Sequence, residues 1–296
     1  MRGTTEASNE RFGVALGIAS CCCGAGAAVA TRHLVGTLDP ITIAAIRFGG
    51  GALCVLPIAI AVGARFPSRA DWPAVAALGF AFYALFFIAY NLALRYTTVA
   101  RGTLALSTLP LMTMLVAALL GRESLTLRKS LGVLLAMAGV SFALASGLAA
   151  MPAGAWRGDL LMVSATLCMA FYSIWSRPFA RRSSSLGFLA AGMSVGGLAL
   201  VVLTLATARV SVEALSATDW TAAIYLAAGG GAVAFILWVY ALDYASPTRV
   251  TNTMTVNPLV AGVGAAVLLG EPVTIALAIG LIGVFAGIWI ATTERT

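Results

Sequence analysis

The stretch ALRYTTVARGTLALSTLPLMTMLVAALLGRE, Ala93 to Glu123, returns 148 positions later without a gap as ALDYASPTRVTNTMTVNPLVAGVGAAVLLGE, Ala241 to Glu271. Tyr96 aligns with Tyr244, Arg101 with Arg249, Pro110 with Pro258, Leu120 with Leu268 and Glu123 with Glu271. The register runs outward to Asp71-Trp72 on Asp219-Trp220, Tyr90 on Trp238 and Gly139 on Gly287, so Asp71–Phe142 repeats as Asp219–Ile290. Solenoid units repeat every 20–50 residues or so. An offset of half the chain instead marks a duplicated half, and the fold must use each of these elements twice.

Both copies are strongly apolar. The chain is 60% hydrophobic and only 10% charged, whereas soluble domains carry roughly 25% charged residues; mean hydropathy is +0.97. The apolar runs are about 20 residues long, the length an α-helix needs to cross a hydrocarbon core of about 30 Å. They lack the alternation of a membrane β-barrel, and backbone groups in lipid must be satisfied within each span. The expected fold is an all-α integral membrane protein.

Ten spans are predicted: Phe12–Thr31, Ile41–Gly63, Pro73–Leu94, Gly102–Leu120, Ser130–Leu148, Asp159–Ser176, Leu186–Ala206, Trp220–Leu242, Val250–Leu269 and Val273–Ala291. They divide into a first five-span repeat, 1–148, a Pro/Gly joint, 149–157, and a second repeat, 158–296. An odd number of spans sets the second half into the membrane upside down, the inverted repeat of many secondary transporters, with a cavity expected between the halves. Met1–Arg11 is polar and no cleavage site follows it, so no signal peptide is expected.

The net charge of +7 does not point to nucleic acid, because the basic residues sit at span ends, where topology explains them. With the N-terminus inside, twelve fall on the cytoplasmic side (Arg2, Arg11, Arg65, Arg69, Arg122, Arg128, Lys129, Arg177, Arg181, Arg182, Arg249, Arg295) and five on the other (Arg32, Arg95, Arg101, Arg157, Arg209). Both termini are therefore expected in the cytoplasm. The five cysteines lack disulfide-framework or zinc spacing and read as small packing residues. With His33 as the sole histidine and no Walker sequence, neither a catalytic triad, a zinc site nor an ATPase can be built, so no enzymatic activity, metal or cofactor is expected.

Candidate transport residues come from what is polar, aromatic or bent in apolar spans. Pro110 and Pro258 occupy matching places and are the candidate hinges, since each proline removes a helical hydrogen bond. Thr103, Ser107 and Thr108 precede one; Thr251, Asn252, Thr253, Thr255 and Asn257 precede the other. Such groups either satisfy freed backbone or meet a ligand. Tyr83 and Tyr90 share a face of the third span beside Asn91, Tyr172 and Trp175 share one of the sixth, and Trp238 is the repeat image of Tyr90. Rings with a polar tip suit a solute cavity or, at span ends, the headgroup layer; Tyr96, Tyr244, Trp72, Trp156 and Trp220 are expected at the headgroups.

Arg47 is the one clear intramembrane charge, either functional or snorkelling to the near interface. No Asp or Glu lies mid-span, which points to a facilitator rather than a proton- or sodium-driven carrier. Glu123 and Glu271 are expected to cap the helices that follow them. The GxxxG pairs Gly13/Gly17, Gly192/Gly196 and Gly283/Gly287 serve either packing within a monomer or a dimer seam.

Two five-span halves, with Pro258-Leu259 through Leu268-Leu269-Gly270-Glu271 and Pro110-Leu111 through Leu120-Gly121-Arg122-Glu123, resemble the drug/metabolite transporter superfamily, specifically its EamA-type members. The resemblance implies a ten-helix basket in the bacterial inner membrane and a small-molecule substrate taken by alternating access. Its aromatic spans are most similar to the branch that exports aromatic and other neutral amino acids. The alternative is a multidrug or organic-cation exporter, with or without proton coupling. The phosphate-sugar branch requires more cavity cations than Arg47 alone.

Overall fold

A computed structural model describes residues 2–121, 126–146, 154–207, 215–245, 249–250 and 253–292. Arg122, Glu123, Arg209, Thr251, Asn252 and Arg295 lie outside the described residues. All regular structure among the described residues is helical. Among the described residues eight helices are long and apolar enough to cross a membrane, and two shorter apolar ones complete ten.

The helices are α1 (Arg2–Leu34), α2 (Pro40–Ala61), α3 (Trp72–Tyr96), α4 (Val99–Leu119), α5 (Leu127–Ser146), α6 (Ala155–Trp175), α7 (Ser185–Thr207), α8 (Ala217–Tyr244), α9 (Thr253–Leu269) and α10 (Ile275–Thr292). A short helix, Arg177–Arg182, follows α6. Apolar character places the start of the first span at Phe12. The helix in fact continues back to Arg2, and its Glu10 carboxylate meets the Arg249 guanidinium at 2.9 Å.

Local chemistry sets the ends. Asp39 accepts from the Ile41 N–H at 2.9 Å and Pro40 opens α2, a side-chain cap followed by the residue best suited to a first helical turn. Ser216 and Asp219 form a reciprocal capping box on α8. Gly270 ends α9 in the left-handed region, at φ 65°, where glycine carries no Cβ penalty.

Contacts between helices obey the repeat. Exchanging each helix with the one five further on maps α1–α8 onto α6–α3, α1–α9 onto α6–α4 and α2–α8 onto α7–α3, and returns α2–α7, α4–α9 and α5–α10 to themselves; all nine pairs are in contact. Helix ends alternate between two faces of the bundle. One holds the α1–α2 turn and is called here the Asp39 end; the other holds the α2–α3 turn and is the Arg65 end. Trp156, Trp220 and Tyr96 stand exposed at the first, Trp72 and Tyr244 at the second, as headgroup anchors should.

Small residues bring the backbones together. Gly283 and Gly287 of α10 face Gly139 and Gly132 of α5, Gly192 and Gly196 of α7 face Gly79 and Tyr83 of α3, and Gly13 and Gly17 of α1 face Ala245 and Thr253. All three GxxxG faces are thus filled within the chain. The two Gly-Gly-Gly runs also meet: Gly51 of α2 lies against Gly231 of α8.

A π-helical segment interrupts α3 at Phe80–Phe86 and another interrupts α8 at Leu226–Val233. Shifted by 148 positions the first becomes 228–234, so the two overlap. Such wide turns recur at functional sites.

Candidate functional site

Four helices converge on a buried aromatic cluster. Phe48 comes from α2, Phe82, Tyr83, Phe86, Phe87 and Tyr90 from α3, Tyr172 from α6 and Phe235 from α8. Phe82 stacks on Tyr172 with centroids 4.2 Å apart, Phe48 packs on Phe87 at 4.2 Å, and Phe235 lies 5.7 Å from Tyr83. Offset and edge contacts of this kind hold rings more firmly than area burial alone. The π segment of α3 supplies Phe82, Tyr83 and Phe86, and Phe235 follows just after that of α8.

Arg47 enters this cluster from α2. It is only 5% exposed, and its guanidinium carbon sits 4.8 Å from the Phe87 centroid and 5.3 Å from that of Phe48. Nε and Nη2 both donate to the Gly230 carbonyl of the α8 π segment, each at 3.3 Å. The side chain is therefore held inside the bundle and does not snorkel to an interface. Among the described residues no carboxylate pairs with it.

Of the other residues singled out from sequence, Tyr83 and Tyr90 are buried in the cluster and Tyr172 packs on its edge. Trp175 is separate, stacked on Phe171 at 5.2 Å and 39% exposed. Trp238 lies outside the aromatic cluster, packed against a separate group formed by Ala241, Ala245 and Val250. The aromatic pair that the repeat brings together is Phe87 and its image Phe235, with centroids 6.5 Å apart. Asn91 donates to the Pro40 carbonyl at 2.9 Å, leaving its buried Oδ1 without a partner; the Asn257 Oδ1 is likewise buried and unpartnered.

Both proline-bearing spans are interrupted. In α4 the α-helical ladder breaks at Ser107-Thr108 and resumes over Leu109–Leu119, with Pro110 in its first turn. α9 begins as a 3₁₀ turn, Thr253–Thr255, before the helix carrying Pro258. The hydroxyls bond to their own backbone: Thr103 to the Val99 carbonyl at 2.8 Å, Ser107 to Leu104 at 2.6 Å, Thr108 to Ala105 at 2.7 Å and Thr253 to Val250 at 2.6 Å.

Ion pairs close the two ends unequally. At the Asp39 end, Arg101 of α4 grips Asp159 of α6 through Nη2–Oδ2 (2.5 Å) and Nε–Oδ1 (3.3 Å), Asp159 also accepts from the Thr97 hydroxyl at 2.8 Å, and Arg101 donates to the Leu144 carbonyl at 2.6 Å. Both partners are buried. At the Arg65 end, Arg249 occupies the position of Arg101 in the repeat and meets Glu10 of α1 at 2.9 Å, with both partners partly in solvent. The image of Asp159 is position 11, one residue from Glu10. These are matching latches, one dry and one wet.

Further pairs follow the same symmetry. Asp71 meets Arg182 at the Arg65 end, and its image Asp219 meets His33 at the Asp39 end, each at 2.9 Å. Glu271 corrects an expectation: it does not cap the helix after it. Its Oε1 accepts from Arg32 Nε of α1 and its Oε2 from the Val99 N–H opening α4, both at 2.9 Å. A helix N-terminus carries N–H groups without intrahelical partners and a positive dipole end; in α4 the Thr98 side chain takes the Arg101 N–H and Glu271, at the α9 terminus, takes that of Val99.

An apolar groove of about 290 Å³ lies away from this cluster, between α2, α7 and α8 near the Asp39 end. Leu38, Ile46, Val201 and Trp220 line it, a surface that suits hydrocarbon better than a polar solute.

The family model for the EamA-like transporter family matches residues 11–145 and again 156–293. The chain belongs to that family. It is therefore a multi-pass membrane transporter built from two EamA repeats. It is similar to the uncharacterised transporter YyaM of Bacillus subtilis (26% identical; 88% of this chain and 87% of that one). A probable terminal-alkyne amino-acid exporter of Streptantibioticus cattleyicolor is 27% identical over 83% of each chain. A solved crystal structure superposes with a TM-score of 0.70 at 21% identity, covering 96% of this chain and 97% of the other, which shows the fold.

Proposed function

We propose that this EamA transporter exports small metabolites, first among them aromatic and other neutral amino acids, from the cytoplasm across a bacterial inner membrane. Transport is facilitated, down the solute's own gradient, by alternating exposure of the aromatic cluster to the two ends. The observation that carries the alternation is the pair of matching latches, buried at Arg101–Asp159 and exposed at Arg249–Glu10. A duplicated bundle that closes one end more tightly than its twin has a second state available, with the roles of the halves exchanged. The basic-residue bias of twelve to five supports placing the Arg65 end in the cytoplasm, and on that reading the drier latch faces the outside.

Three features support the choice of solute: the ring cluster, the intramembrane arginine with no acid paired to it among the described residues, and the amino-acid export named for one relative. An organic-cation exporter would need an acid at depth or an open aromatic face for cation–π contact; here Arg47 already occupies the faces of Phe48 and Phe87. The test is counterflow of labelled solutes in liposomes, with and without a pH gradient. Phenylalanine, methionine or threonine should exchange at a rate indifferent to the gradient. Exchange of organic cations alone, or an absolute requirement for the gradient, would overturn the reading.

A further inference from the structure

We infer that Arg47 is the solute-recognition residue of this transporter and that it selects for a carboxylate, so the transported class is monocarboxylic solutes, α-amino acids included, and not amines or their amides. The inference rests on the amino-acid reading above and narrows it to one group of the solute and one side chain.

A guanidinium in the bundle interior loses its hydration, and that loss is offset only by a counter-charge or a full set of hydrogen bonds. The molecule's other buried arginine shows what a satisfied one looks like. Arg101 has a two-point carboxylate partner and two backbone carbonyls. Arg47, equally buried, has one shared carbonyl at 3.3 Å and two ring faces. Among the described residues Nη1 makes no hydrogen bond and no acid is paired with the group. Five N–H donors in a planar fork meet a carboxylate in two parallel bonds, and that is the chemistry this position lacks.

Placement argues the same way. The Gly230 carbonyl, from the π segment of α8, fixes the Nε–Nη2 edge, and Phe48 and Phe87, packed 4.2 Å apart, both lie on one side of the guanidinium. Tyr90 is near enough to interact with its charge. An aromatic amino acid could thus set its carboxylate on the unused edge and its ring among rings already packed at 4–6 Å. A cationic solute would instead meet an uncompensated positive charge in a medium of low dielectric. Hydroxyls were the sequence's candidates for this task, but Thr103, Ser107, Thr108 and Thr253 are each engaged by their own backbone.

The experiment measures two things on the full-length protein with one matched series: phenylalanine, 3-phenylpropionate, phenylalanine amide and phenethylamine. The first is thermal stabilisation of detergent-purified protein by each compound; the second is competition against labelled phenylalanine counterflow in liposomes. Wild type should be stabilised by the two carboxylates alone, and only they should compete. Arg47→Gln should lose the carboxylate effect by about 100-fold in apparent affinity; Arg47→Lys, which keeps the charge and loses the fork, should lose about 10-fold. If Arg47→Gln does not fold, the wild-type selectivity and the Arg47→Lys shift carry the test.

A wild type that binds the amide or amine as well as phenylalanine, or an Arg47→Lys or Arg47→Gln protein that keeps wild-type affinity for carboxylates, overturns the inference and leaves amino-acid export standing. Carboxylate binding that depends on Arg47 without any amino-acid flux overturns the export reading and leaves the inference standing. Indifference of the wild type to all four compounds overturns both.

Discussion

Asp159→Asn lowers the unfolding free energy by about 3–5 kcal/mol, the cost of leaving a buried guanidinium without its counter-charge. Arg101 is 3% exposed, so water cannot replace the lost carboxylate, and its carbonyl contacts to Ala143 and Leu144 supply no negative charge. The amide keeps the Thr97 hydrogen bond, so the loss reports the charge pair and not a collapse of the turn. The matched change at the other end, Glu10→Gln, costs less than about 1 kcal/mol, because the Arg249 side chain is 61% exposed and already hydrated. Denaturant or thermal unfolding of the two variants in the same detergent compares them directly. Equal losses would mean that the latches are energetically alike and that the difference in burial carries no weight.

Gly231→Ala has the second large effect. An added Cβ would lie 2.2 Å from the Arg47 carbonyl and 3.2 Å from Gly51 Cα. Both obstacles are backbone, so α2 and α8 must separate, and the Gly230 carbonyl is carried away from the Arg47 guanidinium as they do. Overpacking of this kind costs about 1–3 kcal/mol even where side chains can yield, and more where they cannot. Folded yield should drop several-fold. Gly24→Ala is the control: its nearest neighbour is Asn257 Nδ2 at 3.9 Å, ordinary contact, and replacing a mid-helix glycine recovers up to about 1 kcal/mol of helix propensity. A Gly231→Ala protein as stable as Gly24→Ala would show that the two helices are not held at this distance.

Much of this architecture was legible because lipid removes most alternatives. Apolar runs of spanning length must be helices, and a gapless repeat at an offset of 148 residues, with five spans on each side of a joint, leaves few arrangements. The interruptions at Pro110 and Pro258 could be read for the same reason, since proline acts locally. The site was less legible. Tyr90 and Trp238 align in sequence, yet one lies in the aromatic cluster and the other against the separate group of Ala241, Ala245 and Val250, because the contacts of a ring depend on helix rotation, which the register does not carry. Phe87 and Phe235 share that register and do meet, although neither has a polar atom to mark it.

The π segments left no composition signal, as one is built on aromatics and the other on glycines. The role of Glu271 is hidden for a different reason. Its neighbour in the chain is the start of α10, but its partners are Arg32 and Val99, 239 and 172 residues away. The Arg101–Asp159 latch had one usable hint: Arg249 repeats Arg101 and Glu10 lies one residue from the image of Asp159, so a charge pairing conserved across the repeat could have been sought between the start of one span and the start of another.

The central claim is that the two ends open in turn around the aromatic cluster. Spin-label distances at both ends test it most directly, in liposomes, on a transport-competent background whose five cysteines are replaced. Exposed positions Thr37 and Arg157 report the Asp39 end, and Arg69 and Tyr244 the Arg65 end. With saturating phenylalanine, each pair should show two distance populations, and the share of the long Thr37–Arg157 distance should rise as the share of the long Arg69–Tyr244 distance falls. Distances that stay single and unchanged, or that lengthen together at both ends, would contradict alternating access.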